Sequence, residues 1–180
     1  MRSIGFLETS SLAKGVEAAD AMLKKAGVEL LMTLGVPRGK FLVMIEGLLA
    51  DVESSMQAGL ETAGATVVDH FVIQNVHPQL PAAIKGKVPV ETVEAVGMIE
   101  TKEVASAIYA ADAAAKAANV TLIEARNQPG AKGLVVLTGE VGAVRAGVAA
   151  GVATIKKDGM LVAEVVIPFA HKALRKSLVS

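Results

Sequence analysis

The sequence predicts an α/β (α+β) protein made of two tandem copies of a ferredoxin-like domain. Three observations predict it. The chain repeats itself at an offset of 92 residues. Each copy alternates short apolar runs with two helical patterns in the order β-α-β-β-α-β. Turn residues recur at matching places in both copies.

The repeat is clearest at the start of each copy. Ile4-Gly5-Phe6-Leu7-Glu8-Thr9 is echoed by Val96-Gly97-Met98-Ile99-Glu100-Thr101. Ala18-Ala19-Asp20-Ala21 returns as Ala110-Ala111-Asp112-Ala113. Lys24, Ala26, Val28 and Leu30 return as Lys116, Ala118, Val120 and Leu122. Across residues 4–30 and 96–122, 12 of 27 positions are identical. Pro37, Lys40 and Gly47 match Pro129, Lys132 and Gly139. Two extra residues near Lys156-Lys157 shift the offset to 94, which pairs His77 with His171. An alanine-rich chain can copy a helix by chance, but not strand, loop and glycine positions together.

In the first copy residues 4–8 form a short apolar strand. A helix over 11–26 places Leu12, Val16, Ala19 and Leu23 on one face, and Gly27 stops it. Residues 28–34 form a strand, and the turn-rich residues 35–39 lead into an apolar strand over 40–46. A second helix over 49–63 turns Val52, Met56 and Leu60 inward. Residues 66–73 form the last strand, and 78–84 a short terminal helix. The second copy gives 95–100, 103–118, 120–127, 133–138, 141–155, 160–167 and 171–178 in the same order. Ala143, Gly147 and Gly151, four apart, make a small-residue helix face suited to close helix packing. The expected division is a first domain over 1–86, a linker over 87–94 and a second domain over 95–180.

Composition excludes several function classes. Eighteen basic residues balance 18 acidic ones, against the basic excess of a nucleic-acid binder. With no cysteine there is no disulfide, thiolate metal site or cysteine nucleophile. The smoothest apolar stretch, 133–155, carries Glu140 and Arg145 and many glycines, so no membrane span is expected. The N-terminal residues lack the pattern of a secretory leader. Aromatic residues make up only 3% of the chain, so Ala, Val, Leu, Ile and Met must build the core.

The residues resemble the bacterial microcompartment shell domain. Gly97-Met98-Ile99-Glu100-Thr101-Lys102, Ala110-Ala111-Asp112-Ala113 and Lys116-Ala117-Ala118-Asn119-Val120 carry the resemblance. Thr138-Gly139-Glu140-Val141-Gly142-Ala143-Val144, and Val166-Ile167-Pro168 before His171, extend it. Gly5-Phe6-Leu7-Glu8-Thr9-Ser10, Asp20-Ala21-Met22-Leu23-Lys24 and Gly39-Lys40-Phe41 give the first half of a tandem, trimer-forming type. The resemblance implies a homotrimer shaped as a flat pseudohexamer, packing edge to edge with other shell proteins into a microcompartment shell in the cytoplasm. It implies a central pore for small metabolites, lined by Val36, Pro37, Arg38 and Gly39 in the first copy and by Gln128, Pro129, Gly130 and Ala131 in the second. It also implies a tile-edge role for Lys102, with His77 and His171 nearby. In one branch of the family a cysteine of the first pore loop helps hold an iron–sulfur cluster; Pro37 stands there in this chain. The family's arginine two residues before the histidine is replaced by Asn75 and Phe169, and its edge lysine by Ser10 in the first copy.

The residues themselves leave some readings open. The segment from Gly35 to Lys40 lacks the spacing and the Ser/Thr of a phosphate loop, so it reads as a tight turn. Arg38 either faces a threefold axis, where three copies would attract anions, or turns aside to pair with a carboxylate. His70, His77 and His171 lack metal-ligand spacing. Asp20 and Asp112 are expected buried at equivalent places, as polar contacts rather than an acid–base pair. With no nucleophile–base–acid constellation, the expectation is a structural, non-enzymatic protein with no cofactor, metal, nucleic-acid or membrane partner. The alternative is a ferredoxin-like oligomer that binds or converts a small molecule at a subunit interface.

Overall fold

The structure, a computed structural model, describes residues 2–179. Strand β1 (Ser3–Thr9) leads to helix α1 (Leu12–Lys25), β2 (Glu29–Val36), β3 (Lys40–Gly47), α2 (Leu49–Ala63) and β4 (Val67–Ile73). A short helix α3 (Leu80–Lys85) follows. The second copy comprises β5 (Ala95–Thr101), α4 (Val104–Ala117), β6 (Thr121–Gln128), β7 (Lys132–Gly139), α5 (Val141–Ile155) and β8 (Leu161–Ile167), with α6 (Lys172–Val179) closing it. The strand orders are β2-β3-β1-β4 and β6-β7-β5-β8, every pairing antiparallel. This is the ferredoxin-like arrangement, twice.

The two sheets share a register. Phe6 faces Met44 across the strands as Met98 faces Val136. Bulges recur at Glu8/Thr9 and Glu100/Thr101, and at Leu30/Met32 and Leu122/Glu124. Because side chains alternate along a strand, this shared register sends the same repeat positions to the helix-covered face. In the first unit Leu7, Val43 and Ile45 of the sheet pack with Ala18, Ala19, Met22, Val52 and Met56. Phe6 stacks on Phe71 at 4.7 Å between ring centres.

Glycine sets how close the helices come. A Cβ on Gly5 would lie 2.7 Å from the Met56 sulfur, and one on Gly97 2.7 Å from Val148. Gly59 and Gly151 are equivalent and both sit at the helix–helix contact. A Cβ on Gly151 would lie 2.7 Å from the main-chain carbonyl oxygen of Ala110, whereas one on Gly59 would meet the flexible Met22 side chain. The small-residue face expected from Gly147 and Gly151 is therefore a packing surface.

Two expectations change. Helix α1 buries Gly15, Ala18, Ala19 and Met22, not the Leu12–Val16–Leu23 stripe, which stays exposed while Ala19 is buried. Its small residues let it settle on the sheet, where Gly15 meets Phe41 and Thr9. The chain forms two compact units, divided between Val76 and His77. The terminal helix expected for the first copy packs on β6 and α4 of the second unit, with Leu80, Ala83 and Ile84 buried there. Asp20 is exposed, its side chain at 60%, whereas Asp112 is buried as expected.

Candidate functional site

The first hairpin closes where Val36 pairs with Lys40, leaving Pro37, Arg38 and Gly39 as a three-residue connection. The second closes where Gln128 pairs with Lys132, leaving Pro129, Gly130 and Ala131. Proline opens both tips and fixes its own φ. The next two residues of each loop are left-handed: Arg38 (φ 68°) and Gly39 (φ 73°), then Gly130 (φ 87°) and Ala131 (φ 63°). Glycine occupies the first of these positions in one loop and the second in the other. Each loop thus holds one non-glycine residue in αL, at a cost of about 1 kcal/mol. The hydrogen-bonded strands on either side impose that shape.

Charge separates the loops. At their bases Lys40 Nζ lies 2.9 Å from Glu8 Oε1, and Lys132 Nζ 2.7 Å from Glu100 Oε1. These equivalent pairs neutralise both hairpin ends. Arg126 Nε pairs with the buried Glu124 carboxylate at 3.1 Å. Arg38 is exposed at its tip, and among the described residues no carboxylate pairs with it. The first loop therefore presents a free guanidinium, and the tip of the second presents no charge.

Lys102 follows β5 directly and is exposed; its backbone N–H donates to the Met160 carbonyl at 2.9 Å. Ser10 makes the equivalent bond to Thr66. His77 Nδ1 accepts the Gln79 N–H at 3.4 Å, and His171 Nδ1 accepts the Ala173 N–H at 3.3 Å. Each ring therefore caps the start of a short helix. His70 is exposed on β4, and no group of three metal-ligating side chains occurs among the described residues. Among the described residues no helix is long and apolar enough to cross a membrane.

Two residues named from the sequence have a structural role that the sequence reading missed. Phe169 is left-handed (φ 53°) and 74% exposed, matching Asn75 (φ 51°) in the first copy. It borders an open groove of about 520 Å³ with Val90, Val93, Glu94 and Arg175. Its signal was the residue type, a bulky aromatic two residues before His171. The second residue is Glu140, whose carboxylate accepts the Gly142 and Ala143 N–H groups and caps α5. These bonds, Gly142 first, hold its carboxyl below the ordinary glutamate value.

A family model described as the BMC domain matches residues 3–76 and again 95–170. Over 180 residues the chain is 39% identical to the bacterial microcompartment shell protein PduT of Citrobacter freundii, covering 99% of this chain and 98% of that one. One half is 42% identical over 85 residues to the shell protein PduA of the same organism, spanning 47% of this chain and 91% of PduA. A crystal structure of a microcompartment protein from Desulfitobacterium hafniense superposes with a TM-score of 0.94 at 48% identity, covering 98% of this chain and 99% of that one.

Proposed function

Since the chain belongs to the BMC domain family, as a tandem non-permuted member with a structural shell role, we propose that three copies close into a pseudohexameric tile with a central pore. The observation that carries this reading is the duplicated hairpin loop. Two copies of the domain end in the same left-handed three-residue tip, as a ring with six-fold pseudosymmetry requires. The pore residues are then Val36, Pro37, Arg38 and Gly39 with Gln128, Pro129, Gly130 and Ala131.

The guanidinium of Arg38 would appear three times around the opening and the uncharged Gly130 tip three times between. A ring of unpaired positive charge in a narrow, low-dielectric opening draws anions and repels cations. The pore thus favours small anionic metabolites. Lys102, with His77 and His171, lies along the tile edge and joins neighbouring tiles in the shell of a microcompartment within the cytoplasm. The protein acts by assembly and selective passage, with no catalytic step of its own.

Native mass measurement with electron microscopy of the purified protein tests this. A trimer that lays down flat, hexagonally packed sheets is expected; a monomer or dimer that never assembles overturns it. Arg38→Ala is expected to weaken passage or binding of small anions while the trimer persists. Unchanged anion behaviour would remove Arg38 from the pore.

A further inference from the structure

The second unit contains a joint whose two halves both occur again elsewhere in the chain. The receiving face is Asp112, Val120 and Leu122 beside the edge strand β6. The inserted piece is the segment from His77 through α3. The His77 N–H donates to Asp112 Oδ1 at 2.7 Å. Gln79 donates from Nε2 to the Val120 carbonyl at 3.0 Å and accepts the Leu122 N–H at 2.7 Å. Leu80 and Ile84 are buried behind these bonds. The segment thus covers a strand edge that would otherwise present open backbone groups.

The receiving face is repeated with the same residue types in the first unit: Asp20, Val28 and Leu30. There it is open. Leu30 is 40% exposed where Leu122 is fully buried. The inserted piece is repeated too, as His171 through α6. Its histidine makes the same local cap, and Leu174 and Leu178 stand where Leu80 and Ile84 stand. Leu174 is 40% exposed where Leu80 is fully buried. The inserted helix also carries Lys172 and Arg175, and the open face carries the Asp20 carboxylate.

We propose that the segment from His171 through α6 of one copy docks on the Asp20–Val28–Leu30 face of the next copy. Leu178 packs partly against the core of its own unit, so His171, Ala173 and Leu174 are what the segment leaves exposed. This surface and the open face differ, so a contact between them runs head to tail, as a closed three-membered ring requires. This rests on the trimer proposed above and adds which surfaces meet. The copied joint is also weaker than its template. Ala173 replaces Gln79, so the two amide hydrogen bonds to the strand edge are missing between copies.

The chain has no cysteine, which makes cross-linking a clean test. Leu30→Cys combined with Ala173→Cys, oxidised in the assembled protein, is expected to give disulfide-linked chains on a non-reducing gel, with neither single variant doing so. Ala173→Gln is expected to tighten the assembly about tenfold or more in a dilution series, by supplying the two missing bonds. Leu174→Glu, at an exposed site, is expected to leave the circular dichroism unchanged and shift the mass toward monomer. If the parent protein forms no trimer, the proposed assembly fails. If it forms a trimer in which the cysteine pair never links and Ala173→Gln changes nothing, this docking alone is overturned.

Discussion

In the first repeat, α1 turns Leu12, Val16 and Leu23 outward, and Leu30 on β2 stands open. At the equivalent positions the second repeat buries Val104, Ile108, Ala115 and Leu122. Backbone register, bulges and hairpin tips agree between the two. The comparison teaches that a duplicated fold fixes where side chains point, not what covers them. It also shows how volume can move between partners. Gly15 meets Phe41 in the first repeat, whereas Ala107 meets Gly133 in the second, so the larger residue sits on the strand in one and on the helix in the other. A large apolar face left open in one copy and buried in its twin marks a surface awaiting a partner.

The largest expected difference between the repeats lies at the helix–helix contact. Gly151→Ala puts a methyl group 2.7 Å from a main-chain carbonyl, which cannot rotate away. It should destabilise the second unit by about 1–3 kcal/mol. Gly59→Ala meets only the Met22 side chain, which has other rotamers. It should cost distinctly less. Denaturant unfolding of the two variants compares them directly; equal losses would mean that both contacts yield alike.

Next comes the aspartate pair. Asp112→Ala leaves the His77 N–H without its acceptor and removes the Lys116 ion pair. A loss of about 1–3 kcal/mol is expected. Asp20→Ala breaks only an exposed pair with Lys24 and should change the unfolding of isolated chains by less than about 0.5 kcal/mol. If Asp20→Ala instead weakens the assembled protein in proportion to its concentration, the two aspartates do the same work, one within a chain and one between chains.

This pair also shows what the sequence could and could not say. Strands, helices and both hairpin turns were legible because they depend on local periodicity and on turn residues such as Pro37-Arg38-Gly39. The pairing of His77 with His171 and of Asp20 with Asp112 was legible from the offset. The burial of one aspartate and the exposure of the other was not. It depends on α3 crossing to β6, some forty residues further along, and no local pattern encodes that. The same long-range packing draws α3 into the second compact unit, which starts at His77. Helix α1 misled for a related reason. Its Leu12–Val16–Leu23 stripe reads as core, yet the small Gly15–Ala18–Ala19 face settles on the sheet and leaves the larger residues for another surface. The free charge of Arg38 was one of two open readings, and only the geometry of the loop excluded a carboxylate partner.

The loop tips give a smaller effect. Gly130→Ala places a second side chain in the left-handed region of its loop and should cost about 1 kcal/mol. Arg38→Gly relieves the equivalent strain in the first loop but frees the unfolded chain, so its gain should be smaller than that cost. Thermal unfolding should therefore move in opposite directions for the two changes. Movement in the same direction would show that the tips are not equivalent.

The smallest difference is at the start of the second helix of each repeat, and pH reveals it. Glu140 caps α5 with its carboxylate, whereas the equivalent Leu48 offers α2 no side-chain acceptor. Since the carboxyl is held below its ordinary value of 4.5 in the folded chain, the cap contributes stability above that value. The contribution is lost as the pH falls from there through the lower, folded value. Glu140→Gln should therefore lower the melting temperature slightly at neutral pH and make no difference once both forms are protonated. Leu48→Glu should do the reverse, installing in the first repeat a stabilisation that exists at neutral pH and fades in acid. If Glu140→Gln lowers the melting temperature equally at every pH, the bond matters as shape rather than charge, and the two helix starts differ by packing alone.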